Sequence, residues 1–447
     1  MSMKKVMMGI VIGLVFSISV FAQSSLPAAS TSASVPILPK VWTGVAGDTS
    51  IGAISRKNPL HYLHVGQDKE VKGWNVYDGP ASITVLRQEG RHLELQFKNP
   101  KFQINEVGTL SADGKQIQIA SQEASGLFTI DGNKITGCGS SAGTNGLFGH
   151  WLNSYSAWCD EYTVGTTPTP TSSQSVPVLA KVWTGILSAT NIGVPTLHDQ
   201  NHEAKVNKVK PIDGLTNHDE TPRTIQIIRQ EGRHIEFLYI SPRAKTKFVG
   251  MLSVDGKQMQ VSSGYSMGIW NVTADKISGC AFSRGMDGTF SRYFNHYQSY
   301  CVDFVAGTTA PSFPSNIPIL PKAWQGMIAH TNYGFGGKYN TNAHPSSTLS
   351  FSSYDGPRTL MIQEQDGRRL KMTYKTETKS FPLIGTLSFD GKQIAIANNY
   401  TSGVLNITTN SLSGCATSRG GKVGPTFDEW KNSYATWCVN LMPVSSK

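Results

Sequence analysis

The sequence predicts an all-β protein of three tandem antiparallel modules, and three observations carry that reading. Lys40-Val41-Trp42-Thr43-Gly44 returns as Lys181-Val182-Trp183-Thr184-Gly185 and again as Lys322-Ala323-Trp324-Gln325-Gly326, with the tryptophans 141 residues apart each time. Each repeat owns two of the six cysteines, separated by 21, 21 and 23 residues. Between these landmarks, short runs alternate apolar and polar residues on either side of acidic-Gly pairs, the pattern of half-buried strands joined by tight turns. The three copies also serve as an internal alignment, because a residue kept in all of them serves the module.

In chain order, Lys4 and Lys5 precede an uncharged apolar run, Val6 to Val20, and a small-residue exit at Val20-Phe21-Ala22. This reads as a secretory signal over residues 1–22, cleaved before Gln23. No later run approaches the roughly 20 apolar residues of a spanning helix. Residues 23–34, 165–175 and 307–316 are Ser/Thr/Pro-rich and nearly uncharged, as expected of extended linkers. The modules then occupy residues 35–164, 176–306 and 317–443, each of about 130 residues and long enough for its own core.

Within a module the first strand carries the tryptophan. A hairpin follows around Glu89-Gly90, with counterparts at Glu231-Gly232 and Asp366-Gly367. The next hairpin turns on Asp-Gly-Lys-Gln, unchanged at Asp113–Gln116, Asp255–Gln258 and Asp390–Gln393. Turn chemistry explains the motif, with a ligand loop as the rival reading. A third hairpin leads into Cys138, Cys280 and Cys415. With a last strand near the second cysteine the count is about eight. An up-and-down barrel suits that count because closure removes exposed edges; a β-sandwich is the alternative. With Trp42 and Gly44 on the first strand, the plan resembles that of lipocalin- and avidin-type barrels. The likeness is one of architecture, and none of their ligand-binding residues can be matched here.

The most distinctive segment runs from Phe148 through Trp151, Asn153, Tyr155 and Trp158 to Cys159. It returns as Phe290, Tyr293, Asn295, Tyr297, Tyr300 and Cys301, and as Phe427, Trp430, Asn432, Tyr434, Trp437 and Cys438. Aromatic spacings of three, four and three predict one face of a short helix closing the barrel. These aromatics either plug the barrel or form a stacking platform for a sugar, with the asparagine reading a hydroxyl. Repeat symmetry pairs Cys138 with Cys159, Cys280 with Cys301, and Cys415 with Cys438, and an exported chain meets conditions in which such disulfides persist. Ser141, Ser283 and Ser418 mark a Ser/Arg/Gly loop after the first cysteine.

The net charge of +10 divides unevenly. The modules carry 11, 14 and 13 Lys/Arg against 12, 11 and 7 Asp/Glu, the last counted through Lys447. A shared polyanion site would not vanish in one copy, so nucleic-acid binding is excluded. Acid–base chemistry needs positioned titratable groups. The one acidic position kept identical in all three, Asp113/Asp255/Asp390, lies in a turn, and His92 and His234 align with Arg369. His61, His64, His198, His202 and His218 sit in the variable segments after the first strand and lack a shared third ligand. The expectation is a secreted, extracellular or periplasmic, non-catalytic protein of bacterial type, without cofactor or metal. Three sites on flexible linkers would gain avidity on a repetitive extracellular polysaccharide or glycan. The alternative is recognition of a surface protein through the variable loops, as an inhibitor or host-interaction factor.

Overall fold

Alternation along the strands closes each repeat on itself. The computed structural model describes residues 35–51, 74–142, 155–165, 176–192, 221–284, 297–333, 351–419 and 433–444, apart from 101, 122, 123, 243, 244, 265, 310, 313–315, 378 and 399. Barrel 1 comprises β1 (Val41–Ile51), β2 (Trp74–Glu89), β3 (His92–Lys98), β4 (Gln103–Leu110), β5 (Gln116–Ala120), β6 (Ala124–Asp131), β7 (Lys134–Ala142) and β8 (Tyr155–Val164). Barrel 2 runs from β9 (Val182–Ile192) to β16 (Tyr297–Ala306), and barrel 3 from β17 (Ala323–Tyr333) to β24 (Tyr434–Pro443). All three are closed and antiparallel, each strand pairing with its sequence neighbours and the eighth with the first. The register Trp42↔Val164 shuts barrel 1. Each second strand carries the same bulge, between Val85 and Arg87, Ile227 and Arg229, and Ile362 and Glu364, which strengthens its local bend.

Inward residues follow the period of two. Trp42, Trp183 and Trp324 sit at one end of each core, almost wholly buried. Their indole N–H groups donate to the carbonyls of Pro39, Ala180 and Pro321 at 2.9–3.0 Å. Gln88, Gln230 and Gln365 accept from the backbone N–H of Leu38, Leu179 and Leu320, so the segment before each first strand folds across that end. The Asp-Gly-Lys-Gln turns carry their glycines at φ near 68°, the left-handed region that glycine enters without a Cβ penalty. Each aspartate accepts from the backbone N–H two residues on.

The cysteines pair within repeats, as Cys138–Cys159, Cys280–Cys301 and Cys415–Cys438. Each pair is directly opposed across the seventh and eighth strands. No helix is found among the described residues, so the expected short helix is not shown. Tyr155–Cys159, Tyr297–Cys301 and Tyr434–Cys438 are the opening residues of β8, β16 and β24, and residues 148–154, 285–296 and 421–432 lie outside the described residues. Within β8 the helical spacing does not hold, because a strand alternates: Tyr155 and Trp158, three apart, face opposite sides of the barrel wall. Ser141, Ser283 and Ser418, expected in a loop, lie in seventh strands.

The barrels pack on one another in a ring. β1, β7 and β8 of barrel 1 lie against strands three to six of barrel 2; the corresponding strands of barrel 2 lie against barrel 3, and those of barrel 3 against β3, β4 and β5. This is one heterologous interface used three times and closed by the third use. The spacing of the barrels is therefore set by direct packing.

Candidate functional site

The strands on which each barrel meets the ring axis carry the seventh-strand cysteine and the Asp-Gly-Lys-Gln turn. Residues of all three repeats consequently line one cavity of about 420 Å³. Gln116, Gln258 and Gln393, the last residue of each turn motif, all reach it. Thr129, Asn271 and Asn406 stand opposite them in register on the sixth strands. Gln393 Nε2 donates to Asn406 Oδ1 at 3.1 Å. Deeper in, Gln118 and Gln260 are buried, while the third copy has Ala395. Gln118 Nε2 donates to the Gly126 carbonyl at 2.8 Å. Gln260 Oε1 is buried without a hydrogen-bond partner and so offers an acceptor to the cavity it lines. Cys138, Cys280 and Cys415 form part of the wall. The amides present donors and acceptors without charge, while Asp131, Lys134, Glu161 and Asp255 add charged groups from single repeats; the lining is therefore polar throughout, and its volume falls in the range of small-molecule sites.

The three barrel-to-barrel faces are built alike but not identically. Thr49, Thr190 and Thr331 of the first strands meet Met251, Thr386 and Thr109 of the next barrel. Around Thr386, Thr190 and Ser299 approach within 2.8 Å; around Thr109, Thr331 and Thr436 approach within 2.6 Å. Cys159, Cys301 and Cys438 sulfurs lie 3.2–3.4 Å from the carbonyl oxygens of those same central residues. His234 bridges Thr49 and Asp78 from barrel 2 to barrel 1, and His92 bridges Thr331 and Asp355 from barrel 1 to barrel 3. Arg229 lies over Trp74, and Arg87 over Phe351, at the same two faces. In the third face Arg369 and Glu364 hold the positions of the histidine and of that arginine.

The aromatic signature divides between two surfaces. Tyr155 donates to the Lys247 carbonyl of barrel 2 at 3.3 Å, and Tyr434 to the Asn105 carbonyl of barrel 1 at 3.4 Å. Tyr297 packs on Ile384 and Ala397 of barrel 3. Trp158, Tyr300 and Trp437 instead enter the three barrel interiors. Five of these six are buried, and Trp158 is half-buried. Trp151, Asn153, Tyr293, Asn295, Trp430 and Asn432 lie outside the described residues.

The interiors differ in charge. Barrel 1 holds Glu106 opposite Leu95 and Asp160 opposite Ala46, both buried. Barrel 2 has Phe248 and Val302 there, and barrel 3 has Leu383 and Val439. Burial, with the nearby Asp160 charge, pushes Glu106 up to about 8. Burial pushes Asp160 up to about 7, although Tyr162 donates to it at 2.7 Å. Where barrel 1 has Ala81, barrels 2 and 3 bury Arg223 and Arg358.

Sequence reasoning passed over these interior charges and the interface histidines. The signal was present in Tyr77-Asp78-Gly79-Pro80 and Tyr354-Asp355-Gly356-Pro357, identical stretches in segments treated as variable. The aspartate of each reaches a histidine of a neighbouring barrel while the tyrosine turns inward over the glycine.

No protein-family model matches the chain, and no curated protein matches its sequence. Among solved structures, a protein of unknown function from the DUF3598 family of Nostoc punctiforme matches at 10% identity. The match covers 60% of this chain and 96% of that one, with a TM-score of 0.25. The isotype 1 transferrin binding protein B of serogroup B Neisseria meningitidis matches at 7% identity, over 91% of this chain and 77% of its own, with a TM-score of 0.17. A transferrin binding protein B mutant from Haemophilus parasuis matches at 9% identity, over 92% and 77%, with a TM-score of 0.19. At such scores the fold and the site rest on this chain's own residues.

Proposed function

We propose that this is a secreted, non-catalytic binding protein whose three repeats build one axial site for a neutral, hydroxyl-rich ligand, a saccharide unit of an extracellular polysaccharide or glycan. The observation that carries the reading is the convergence of Gln116, Gln258 and Gln393 on one cavity. The motif that is unchanged in every repeat thus serves twice: its aspartate holds the turn and its glutamine faces the axis. The amides shared by the three repeats bind by hydrogen bonds, and the charged lining residues Asp131, Lys134 and Glu161 come from one repeat alone. Export is supported by the signal-like residues 1–22 and by three internal disulfides, which persist in oxidising compartments. The ring gives one composite site per chain, so the reading no longer needs avidity along flexible linkers.

The test is a saccharide panel titrated by calorimetry into the mature chain and into the triple variant Q116A/Q258A/Q393A. Binding at one site per chain, lost in a variant with unchanged thermal unfolding, is the expected result. Retained binding by the folded variant removes the axial site and moves recognition to residues 52–73, 193–220 and 334–350. No saccharide bound by the native chain overturns the reading.

A further inference from the structure

We propose that the interior of barrel 3 is a binding site for an amphipathic monocarboxylate, held by the guanidinium of Arg358. Arg358 pairs in register with Gly326 and shares its inward face with Leu360, two residues on, which belongs to the barrel core. It is 91% buried, with 9% relative exposure. Nη1 donates to the Pro357 carbonyl at 2.7 Å and to the Tyr354 hydroxyl at 3.2 Å. Nε, on the edge that takes a carboxylate with two parallel bonds, is buried without a partner, and the Tyr374 hydroxyl also interacts with the guanidinium.

A guanidinium stays charged in a protein, so burying one without a counter-ion is costly. No carboxylate among the described residues pairs with Arg358. The two interior carboxyls, Glu106 and Asp160, stand in barrel 1, where the arginine position is Ala81. In barrel 3 their positions are Leu383 and Val439, both buried and apolar. Tyr354 and Tyr374 place their rings 4.7 and 5.9 Å from the guanidinium carbon, which supports the charge but cannot neutralise it.

The interior also suits an apolar tail. Barrel 2 fills its core with Phe237, Phe248, Trp270 and Phe304, packed ring on ring. At the same register positions barrel 3 has Met372, Leu383, Leu405 and Leu441. Four aromatic rings are replaced by flexible aliphatic chains at these positions, the kind of lining an apolar tail packs against.

The experiment titrates laurate into the full mature chain and into Arg358→Ala, Arg358→Lys and Arg223→Ala, with lauryl alcohol as the uncharged control. The alanine variant takes the residue that barrel 1 uses at this position. The expected result is one laurate per chain, weakened at least tenfold in Arg358→Ala, weakened less in Arg358→Lys, and unchanged in Arg223→Ala, with lauryl alcohol bound as weakly by the native chain as laurate is by Arg358→Ala. Equal laurate affinity in native chain and Arg358→Ala, or no laurate binding by the native chain, overturns the proposal. Should Arg358→Ala fail to fold by circular dichroism, the lysine variant decides: affinity equal to native refutes bidentate capture. Saccharide binding at the axis is a separate measurement, and its failure leaves this result unaffected.

Discussion

His92 Nε2 stands 3.0 Å from Asp355 Oδ2, and through this contact barrel 1 grips barrel 3. The ring's nitrogen on the other side, Nδ1, is 3.0 Å from Thr331 Oγ1, so the imidazole is held at both ends by the neighbouring barrel. His234 repeats the arrangement with Asp78 at 2.8 Å and Thr49 at 2.9 Å. Two of the three faces of the ring are therefore clamped by the same buried residue type.

Removing one clamp should loosen one face. His234→Ala and Asp78→Ala are each expected to cost about 1–3 kcal/mol. The double variant should cost less than the sum, with a coupling of about 0.5–3 kcal/mol as for residues in contact. A double-mutant cycle by denaturant unfolding measures this; strict additivity would show that the contact contributes nothing.

The same contact gives an acid-side prediction. Burial alone would raise Asp78, but the hydrogen bond and charge of His234, with Arg233 at 2.8 Å, leave it below its ordinary value of 3.8. A carboxylate lowered in the folded state contributes stability that is present above its unfolded pKa and lost as pH falls through the folded one. Asp78→Asn should therefore narrow the loss of stability below about pH 4, relative to the native chain. Asp78 is half exposed, so the effect is small, and thermal unfolding between pH 2 and 6 is the measurement.

Glu106 acts with the opposite sign. Its folded pKa of about 8 lies above the unfolded value, so the native state keeps a proton that the unfolded chain releases. Stability from this group is full below about pH 4 and falls as pH rises toward 8. Glu106→Leu, the residue type at this position in barrel 3, should raise stability at pH 8 by a few kcal/mol and much less at pH 5. Equal gains at both values would place the benefit in packing alone.

The Cys138–Cys159 bridge closes a separation of 21 residues. Cys138→Ala with Cys159→Ala should destabilise by about 3 kcal/mol in the chain-entropy model. Because Cys159 also rests on the Met251 carbonyl of barrel 2, the loss should extend to the face between these barrels. Hydrogen exchange in β8 and in Lys245–Leu252 would rise together; a rise in β8 alone would contradict this.

Gly356 has a packing role that no other residue can fill. A Cβ there would meet the Tyr354 hydroxyl, which folds back toward Arg358. Gly356→Ala should displace Tyr354 and cost about 1–3 kcal/mol, whereas Gly90→Ala meets no neighbouring atom and is strained only by its φ of 58°. Crystallography of the first variant, beside unfolding of both, separates the two causes.

Much of the barrel was legible in the chain. Hairpins, disulfide pairing and the buried tryptophan are local or repeat-borne properties: alternation, an acidic-Gly turn, two cysteines per copy. Within the segment before Cys159, Tyr155 and Trp158 sit on opposite faces of a strand, although the spacing of three, four and three that includes them matches a helix. The turn motif was legible as a turn, yet its glutamine has meaning only beside Gln258 and Gln393 of the other repeats. His92 and His234 looked unimportant because they align with Arg369, and alignment within a repeat is blind to what the next barrel brings against it.

The sequence by itself determined the three-fold repetition, the all-β class and the within-repeat disulfides, since each follows from composition or short-range pattern. Only the tertiary structure decided that the barrels close into a ring, that three glutamines share one cavity, and that barrel 1 buries two carboxyls while barrel 3 buries Arg358 at a different position. These depend on which faces meet and which side of a strand a residue takes. Both are fixed by packing between segments hundreds of residues apart, such as Thr109 against Thr436.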